Sequence, residues 1–146
     1  MRIYLDHCAY NRPFDDQKNI KIQLETSAKL HIQDQIRQGM YDLVWSYISD
    51  LENNYNPNIE NKNSIQAWEN IAKFKCRSSD KILLHGIKIM EKGIGVNDAL
   101  HIACAMESQC EYFITTDTGL TNKKIDKVRM INPIDFIRRM EENNEN

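Results

Sequence analysis

Asp6, Glu52, Asp98 and Asp117 each stand at the end of an expected strand or within the opening turns of an expected helix. Asp6 closes the apolar run Ile3-Tyr4-Leu5, and Glu52 follows the run Leu43-Val44-Trp45. Asp98 opens the helix-like stretch that runs to Met106, and Asp117 follows Tyr112-Phe113-Ile114-Thr115. In an open parallel sheet, ligands bind in the crevice beyond the carboxyl ends of the strands, so a carboxylate placed there four times points to a single shared site. Carboxylates that share a site repel one another and take up protons unless a cation neutralises them. Hard divalent ions such as Mg²⁺ favour oxygen donors of this kind. The pattern therefore points to metal-assisted chemistry.

Each acid also has a plainer reading. A macrodipole alone favours Asp98 in a first helical turn, and Asp117 could be a turn residue before Gly119. Asp6 is harder to explain away, because it ends a strand whose side chains should be buried and an unpaired buried carboxylate is costly. Glu52 could be a solvated helix residue, with Asp50 and Glu60 as competing candidates nearby.

The elements that must position these acids alternate between strand-like and helix-like runs, the mark of β-α units and a parallel sheet. Strands are expected at Ile3–Leu5, about Asp42 to Trp45, Phe74 to Cys76, Tyr112 to Thr115 and Val128 to Ile131. Asn11 to Asn19 reads as a polar loop. Ile20, Leu24, Ala28, Ile32 and Ile36 recur at i,i+4 as one buried ridge of a long helix ending near Gly39. Ser46 should cap a short helix carrying Glu52, and the Asn-rich stretch Asn53 to Asn63 reads as a loop. A helix over about Ser64 to Ala72 follows. Another, capped by Ser78 or Ser79, carries Ile82, Leu83, Ile87 and Met90 up to the breaker Gly93. Asn97 is the expected N-cap of the Asp98 helix. Pro133 starts the last helix, and Glu141 to Asn146 forms a polar, fraying tail.

The 146 residues suit one domain, residues 1–140, large enough to bury a core. No apolar run approaches the roughly 20 residues that cross a bilayer. Asp6 and His7 interrupt any signal-peptide pattern at the start, so a cytoplasmic protein without membrane contact is expected. Cys8, Cys76, Cys104 and Cys110 form no CxxC pair and read as reduced thiols. A net charge of −2 argues against a general nucleic-acid binder, which is usually basic. A metal-loaded acidic pocket can nonetheless hold phosphate while local basic residues position a strand. Lys123, Lys124, Lys127, Arg129, Arg138 and Arg139 form such a local cluster, or a solvated face. Asn11-Arg12 could bind the substrate, reaching RNA phosphate through the guanidinium fork, or Arg12 could pair with Asp15 or Asp16. His101, one turn after Asp98, could face the same pocket, or it is a packed histidine that hydrogen-bonds inside the fold; with Cys104 at i,i+3, and with His7 and Cys8, it could also make a zinc site on paper.

Taken in order and spacing, Ile3-Tyr4-Leu5-Asp6, Leu43 to Glu52, Val96-Asn97-Asp98-Ala99-Leu100-His101-Ile102-Ala103 and Phe113-Ile114-Thr115-Thr116-Asp117 resemble the PIN domain. The likeness extends to the ending Asn132-Pro133-Ile134-Asp135-Phe136-Ile137. It implies a three-layer α/β fold with a five-stranded parallel sheet of order 3-2-1-4-5. It also implies a Mg²⁺- or Mn²⁺-dependent endoribonuclease leaving 5′-phosphate and 3′-hydroxyl ends, often the toxin of a VapC-type toxin–antitoxin pair. RNA, a cognate antitoxin and a second copy of the chain are then the expected partners. The family's acidic positions fall on Asp6, Glu52, Asp98 and Asp117, and its polar residue before the last aspartate on Thr115 or Thr116. His7 and Cys8 depart from the small or hydroxyl residues expected after Asp6. Two rivals remain. One is a PIN fold that binds RNA or protein without turnover. The other is a small-molecule phosphohydrolase, which lacks its usual D-x-D start here.

Overall fold

The computed structural model describes residues 1–144. Five strands, β1 (Arg2–Leu5), β2 (Asp42–Ser46), β3 (Phe74–Cys76), β4 (Tyr112–Ile114) and β5 (Arg129–Ile131), form one sheet in the order β3-β2-β1-β4-β5. Every pairing is parallel, with Ile3 beside Leu43 and Tyr112, and Tyr4 beside Val44 and Phe113. All strand carboxyl ends therefore lie on one edge. The order reverses at β1, and such switch points open a crevice at that edge.

Helices cover both faces, which explains why Ile3-Tyr4-Leu5, Leu43-Val44-Trp45 and Tyr112-Phe113-Ile114 are continuous apolar runs rather than alternating ones. On one face, Ile3, Leu5, Leu43, Trp45, Tyr112, Ile114 and Ile131 pack against α2 (Ile20–Arg37), α4 (Ile59–Gln66), α5 (Trp68–Ile71) and α9 (Pro133–Asn144). On the other, Tyr4, Val44, Phe113 and Met130 pack against α6 (Asp80–Met90) and α7 (Val96–Glu107). These last two helices approach so closely that a Cβ on Gly86 would stand 3.0 Å from Leu100 Cδ2. The shorter helices are α1 (His7–Asn11), α3 (Tyr47–Asn54) and α8 (Thr118–Thr121), and a 3-10 turn over Arg12–Phe14 makes the first part of the expected Asn11 to Asn19 loop helical.

The long helix stops as expected. Gly39 takes φ +82°, its N–H reaches Ile36 O, and the Met40 N–H reaches Gln35 O, which is the Schellman closure that favours glycine. The expected ridge of α2 is only half right. Ala28, Ile32 and Ile36 are buried, while Ile20 and Leu24 are 67% and 53% exposed. With 3.6 residues per turn, each step of four drifts by about 40°, so a strict i,i+4 row cannot keep one face to the core over four turns. Glu25, Lys29 and Gln33 take the buried places instead.

Other expectations need correction. The stretch Asn53–Asn63 is not a loop, because Asn58 caps α4 through its side chain and the helix starts at Ile59. Buried Asn53 secures this arrangement by donating to Lys62 O and Gln66 Oε1, each at 2.9 Å. Gly95, not Asn97, is the N-cap of α7, so Asp98 lies inside the first turn. Ser79 does cap α6. Helix α9 continues through Asn144 past the expected fraying point, anchored by buried Phe136 and Met140; Glu145 and Asn146 lie outside the described residues. No described helix is long and apolar enough to cross a membrane. All four cysteines are free thiols.

Candidate metal centre

Asp6 follows the last residue of β1 and caps α1, accepting the His7 N–H at 2.8 Å. Its second oxygen accepts the Thr115 hydroxyl at 2.8 Å and the Cys8 thiol at 3.2 Å. Thr115 Oγ1 in turn accepts the Asp117 N–H at 3.1 Å. One buried threonine thus ties the ends of β1 and β4 together and sets the spacing of two of the acids. Asp117 itself is exposed and caps α8 by accepting the Gly119 N–H at 2.8 Å. The departure at Cys8 now has a consequence: its thiol sits against Asp6, and burial, then the Asp6 charge, push it up to about 12. It stays a thiol.

Glu52 reaches the same edge from α3. Its Oε1 lies 2.6 Å from Nε2 of His101, a side chain with no exposure at all. On its far side His101 Nδ1 meets the Tyr4 hydroxyl, which also contacts Ser46 Oγ. The network assigns the ring proton to Nε2, donated to Glu52, and leaves Nδ1 to accept from Tyr4, whose oxygen accepts from Ser46. Burial works to raise the Glu52 pKa. The hydrogen bond from His101 is the largest influence against it, and the carboxyl ends below its ordinary value. His7, adjacent to Asp6, is lowered by burial foremost, with Glu52 and Asp6 acting the other way.

Asp50 has a different task. Its Oδ1 accepts the Trp45 indole N–H at 2.8 Å and the Gln66 amide at 2.7 Å, tying α3 to α4. The i,i+2 relation between Asp50 and Glu52 turns them to different sides of α3.

Asp98 completes the group. Half-buried in the first turn of α7, it makes no hydrogen bond or ion pair among the described residues. Its pKa is raised to about 6, by burial first and then by Asp6, Asp117 and Glu52 in that order. Asp6, Asp117 and Glu52 thus each act on Asp98 electrostatically. With Glu52, Asp98 also borders an open cleft of about 390 Å³ walled by Gly95, Val96 and Asn97. A larger cavity of about 710 Å³ lies elsewhere, against α8, β5 and α9, and gathers Lys123, Lys124, Arg129, Arg138 and Arg139. Asp126, Asp135 and Glu142 line that cavity too, while the open cleft carries Glu52 and Asp98 of the four acids.

The donor set suits a hard dication. It offers carboxylate oxygens only, one of them without a protein partner and destabilised by its neighbours, which a cation would relieve. As they stand, no three His, Cys, Asp or Glu side chains among the described residues form a closed ligand cage. The same holds for the zinc set of His7, Cys8, His101 and Cys104.

Not every expected residue joins the centre. Arg12 spends its guanidinium on Asp15 at 2.9 Å and on buried Glu25 at 3.2 Å, while Asn11 accepts from the Asn56 amide at 3.3 Å. Thr115 and Thr116 are buried, Thr115 as the tie described above and Thr116 beside Cys8. The roles of Tyr4 and Ser46 had no signal in the sequence, since an apolar strand and a helix cap explain both without reference to a site.

A five-stranded parallel sheet of this order, flanked by helices on both faces, is a PIN-type fold. The PIN domain model matches residues 3–126, and the chain belongs to the PIN-domain family. No curated protein matches the chain in sequence. Among solved structures, a chain of VapBC2 from Rickettsia felis, crystallised bound to a DNA fragment from the promoter, aligns with a TM-score of 0.57 at 14% identity. The alignment covers 90% of this chain and 98% of that one. At this identity the likeness speaks to the fold alone.

Proposed function

We propose that the chain is a Mg²⁺- or Mn²⁺-dependent endoribonuclease. The observation that carries this reading is Asp98, a half-buried carboxylate without a protein partner and raised to about 6 under three other carboxylates. Asp6, Glu52, Asp98 and Asp117 would hold the ion. When bound, such an ion lowers the pKa of water and steadies charge on phosphate. The chain's own residues do the placing. Thr115 fixes Asp6 relative to Asp117, and His101 orients one Glu52 oxygen while the other stays free of hydrogen bonds. Because carboxylates repel phosphate, the backbone of the substrate needs a cationic path. The cavity beyond α8, whose N-terminus Asp117 caps, offers Lys123, Lys124, Arg129, Arg138 and Arg139 against Asp126, Asp135 and Glu142, a net excess of basic groups.

A role as the toxin of a toxin–antitoxin pair is supported by the fold shared with a chain of the VapBC2 structure. The partners proposed are then an antitoxin and a second copy of this chain. For the second copy, α6 offers Leu83, Leu84 and Ile87, which are 45%, 62% and 57% exposed. Incubation of the purified protein with a mixed RNA pool tests the enzyme. Cleavage should need Mg²⁺ or Mn²⁺, fall away in Glu52→Gln and persist in Asp50→Asn. A non-catalytic binding module is the second reading, favoured by the lack of a closed acidic cage among the described residues. RNA retention without cleavage in either metal would establish it.

A further inference from the structure

Two polar side chains on the core face of α2 are buried without a use. Lys29 is 4% exposed and makes neither a hydrogen bond nor an ion pair among the described residues; its contact is the Tyr10 ring, 5.7 Å from Nζ. Gln33, one turn on, is 3% exposed, and its Nε2 has no partner. Buried donors and buried charges are costly unless something accepts from them. Glu25, one turn before Lys29, is already engaged by Arg12 and Asn132.

Both side chains line a cavity of about 240 Å³ between α2 and the α4–α5 segment. Its far wall is Ile65 and Trp68, Leu30 stands at its edge, and no aspartate or glutamate contributes to it. Arg37, two turns after Lys29, stacks its guanidinium 4.6 Å from the Trp68 ring centre and pairs with no carboxylate among the described residues. The result is a small, apolar, positively charged hole on the sheet face opposite the His101–Tyr4 chain.

We infer that this cavity is a binding site for a small monocarboxylic acid with an apolar body. Lys29 and Gln33, at i and i+4, stand as neighbours on one helix face, an arrangement that suits the two oxygens of a carboxylate. Leu30, Ile65 and Trp68 favour a hydrocarbon or aromatic body over a hydrated inorganic ion. The volume admits a side-chain-sized molecule and excludes a nucleotide. The state of Lys29 agrees: burial, then the neighbouring charge of Arg37, lower it to about 7. A bound carboxylate would restore the ammonium form. This site involves none of the acids at the sheet edge and stands independently of the ribonuclease reading.

Titration of the full-length protein in EDTA with benzoate and isovalerate tests it, followed by tryptophan fluorescence and melting temperature. Benzamide, isovaleramide and inorganic phosphate serve as comparison probes. Both carboxylates should give a saturable fluorescence change and a rise in melting temperature, and the amides and phosphate should give neither. Lys29→Met keeps the stem and removes the unpaired charge. It should fold, melt higher without ligand and bind at least about ten-fold more weakly, a loss of one charge-assisted contact. Gln33→Leu should weaken binding with the fold intact. The inference is overturned if neither carboxylate saturates, if Lys29→Met binds as well as the parent, or if the amides or phosphate do as well as the acids.

Discussion

Replacing Asp98 by Asn separates a metal-holding carboxylate from a helix-supporting one. The folded protein raises Asp98 from an ordinary 3.8 to about 6. The native state therefore binds this proton more tightly than the unfolded chain does. Its stabilising contribution is complete below about pH 4 and is lost as pH rises through 6. At 1.36 kcal/mol per pKa unit the ceiling is about 3 kcal/mol, and solvent screening of a half-buried group reduces this to about 1–2 kcal/mol. Asn carries no such charge, though it gives up the carboxylate's favourable place in a first turn, worth about 0.3–1 kcal/mol. Urea unfolding in EDTA should then show Asp98→Asn about 1 kcal/mol more stable than the parent at pH 7.5, with the gap closing by pH 4. Added Mn²⁺ should stabilise the parent by about 2.7 kcal/mol at a hundred times its Kd, and the variant far less. A variant less stable than the parent at pH 7.5 without metal, or one equally stabilised by Mn²⁺, refutes the reasoning.

His101→Phe should loosen Glu52 and cut Mn²⁺ affinity by about 10–100-fold, as losing a ligand's outer partner does. His101→Gln, which can still donate, should recover part of it, and equal Mn²⁺ affinity in the two variants would count against the Glu52 anchor. Arg12→Met leaves buried Glu25 without its cation and should cost about 3–5 kcal/mol in urea unfolding, while RNA cleavage per folded molecule stays near the parent's. The opposite split would return Arg12 to the RNA. Ile87→Glu on the exposed face of α6 should convert a dimer to a monomer in light scattering, and a parent that is already monomeric at micromolar concentration contradicts the dimer.

The sheet was legible in the sequence because parallel strands covered on both faces are apolar runs bounded by polar segments, and Leu43-Val44-Trp45 and Tyr112-Phe113-Ile114 are such runs. That Asp6 and Asp117 follow β1 and β4 was legible by the same token, since charges stand where those runs end. Helix faces were less so. The i,i+4 row through Ile20 and Leu24 overstated the buried ridge, because four-residue steps rotate away from the core while Glu25, Lys29 and Gln33 rotate into it. Asn58 was hidden among many asparagines, so α4 passed for a loop. Gly95 extended α7 before Asn97 because its extended backbone alone starts the helix. What no local pattern carried was the long-range pairing: Glu52 with His101 across 49 residues, and Asp6 with Thr115 across 109. These contacts depend on which strands become neighbours, and that is settled only when the sheet closes around β1.

The central claim is that Asp6, Glu52, Asp98 and Asp117 gather one divalent cation. An anomalous difference map from a crystal soaked in Mn²⁺ tests it most directly. A peak is expected among these four side chains, with carboxylate oxygens about 2.1 Å away as a small hard dication requires. It should be absent from Asp98→Asn crystals treated in the same way. No peak at this position in the parent at saturating Mn²⁺, or a peak that survives unchanged in Asp98→Asn, contradicts it.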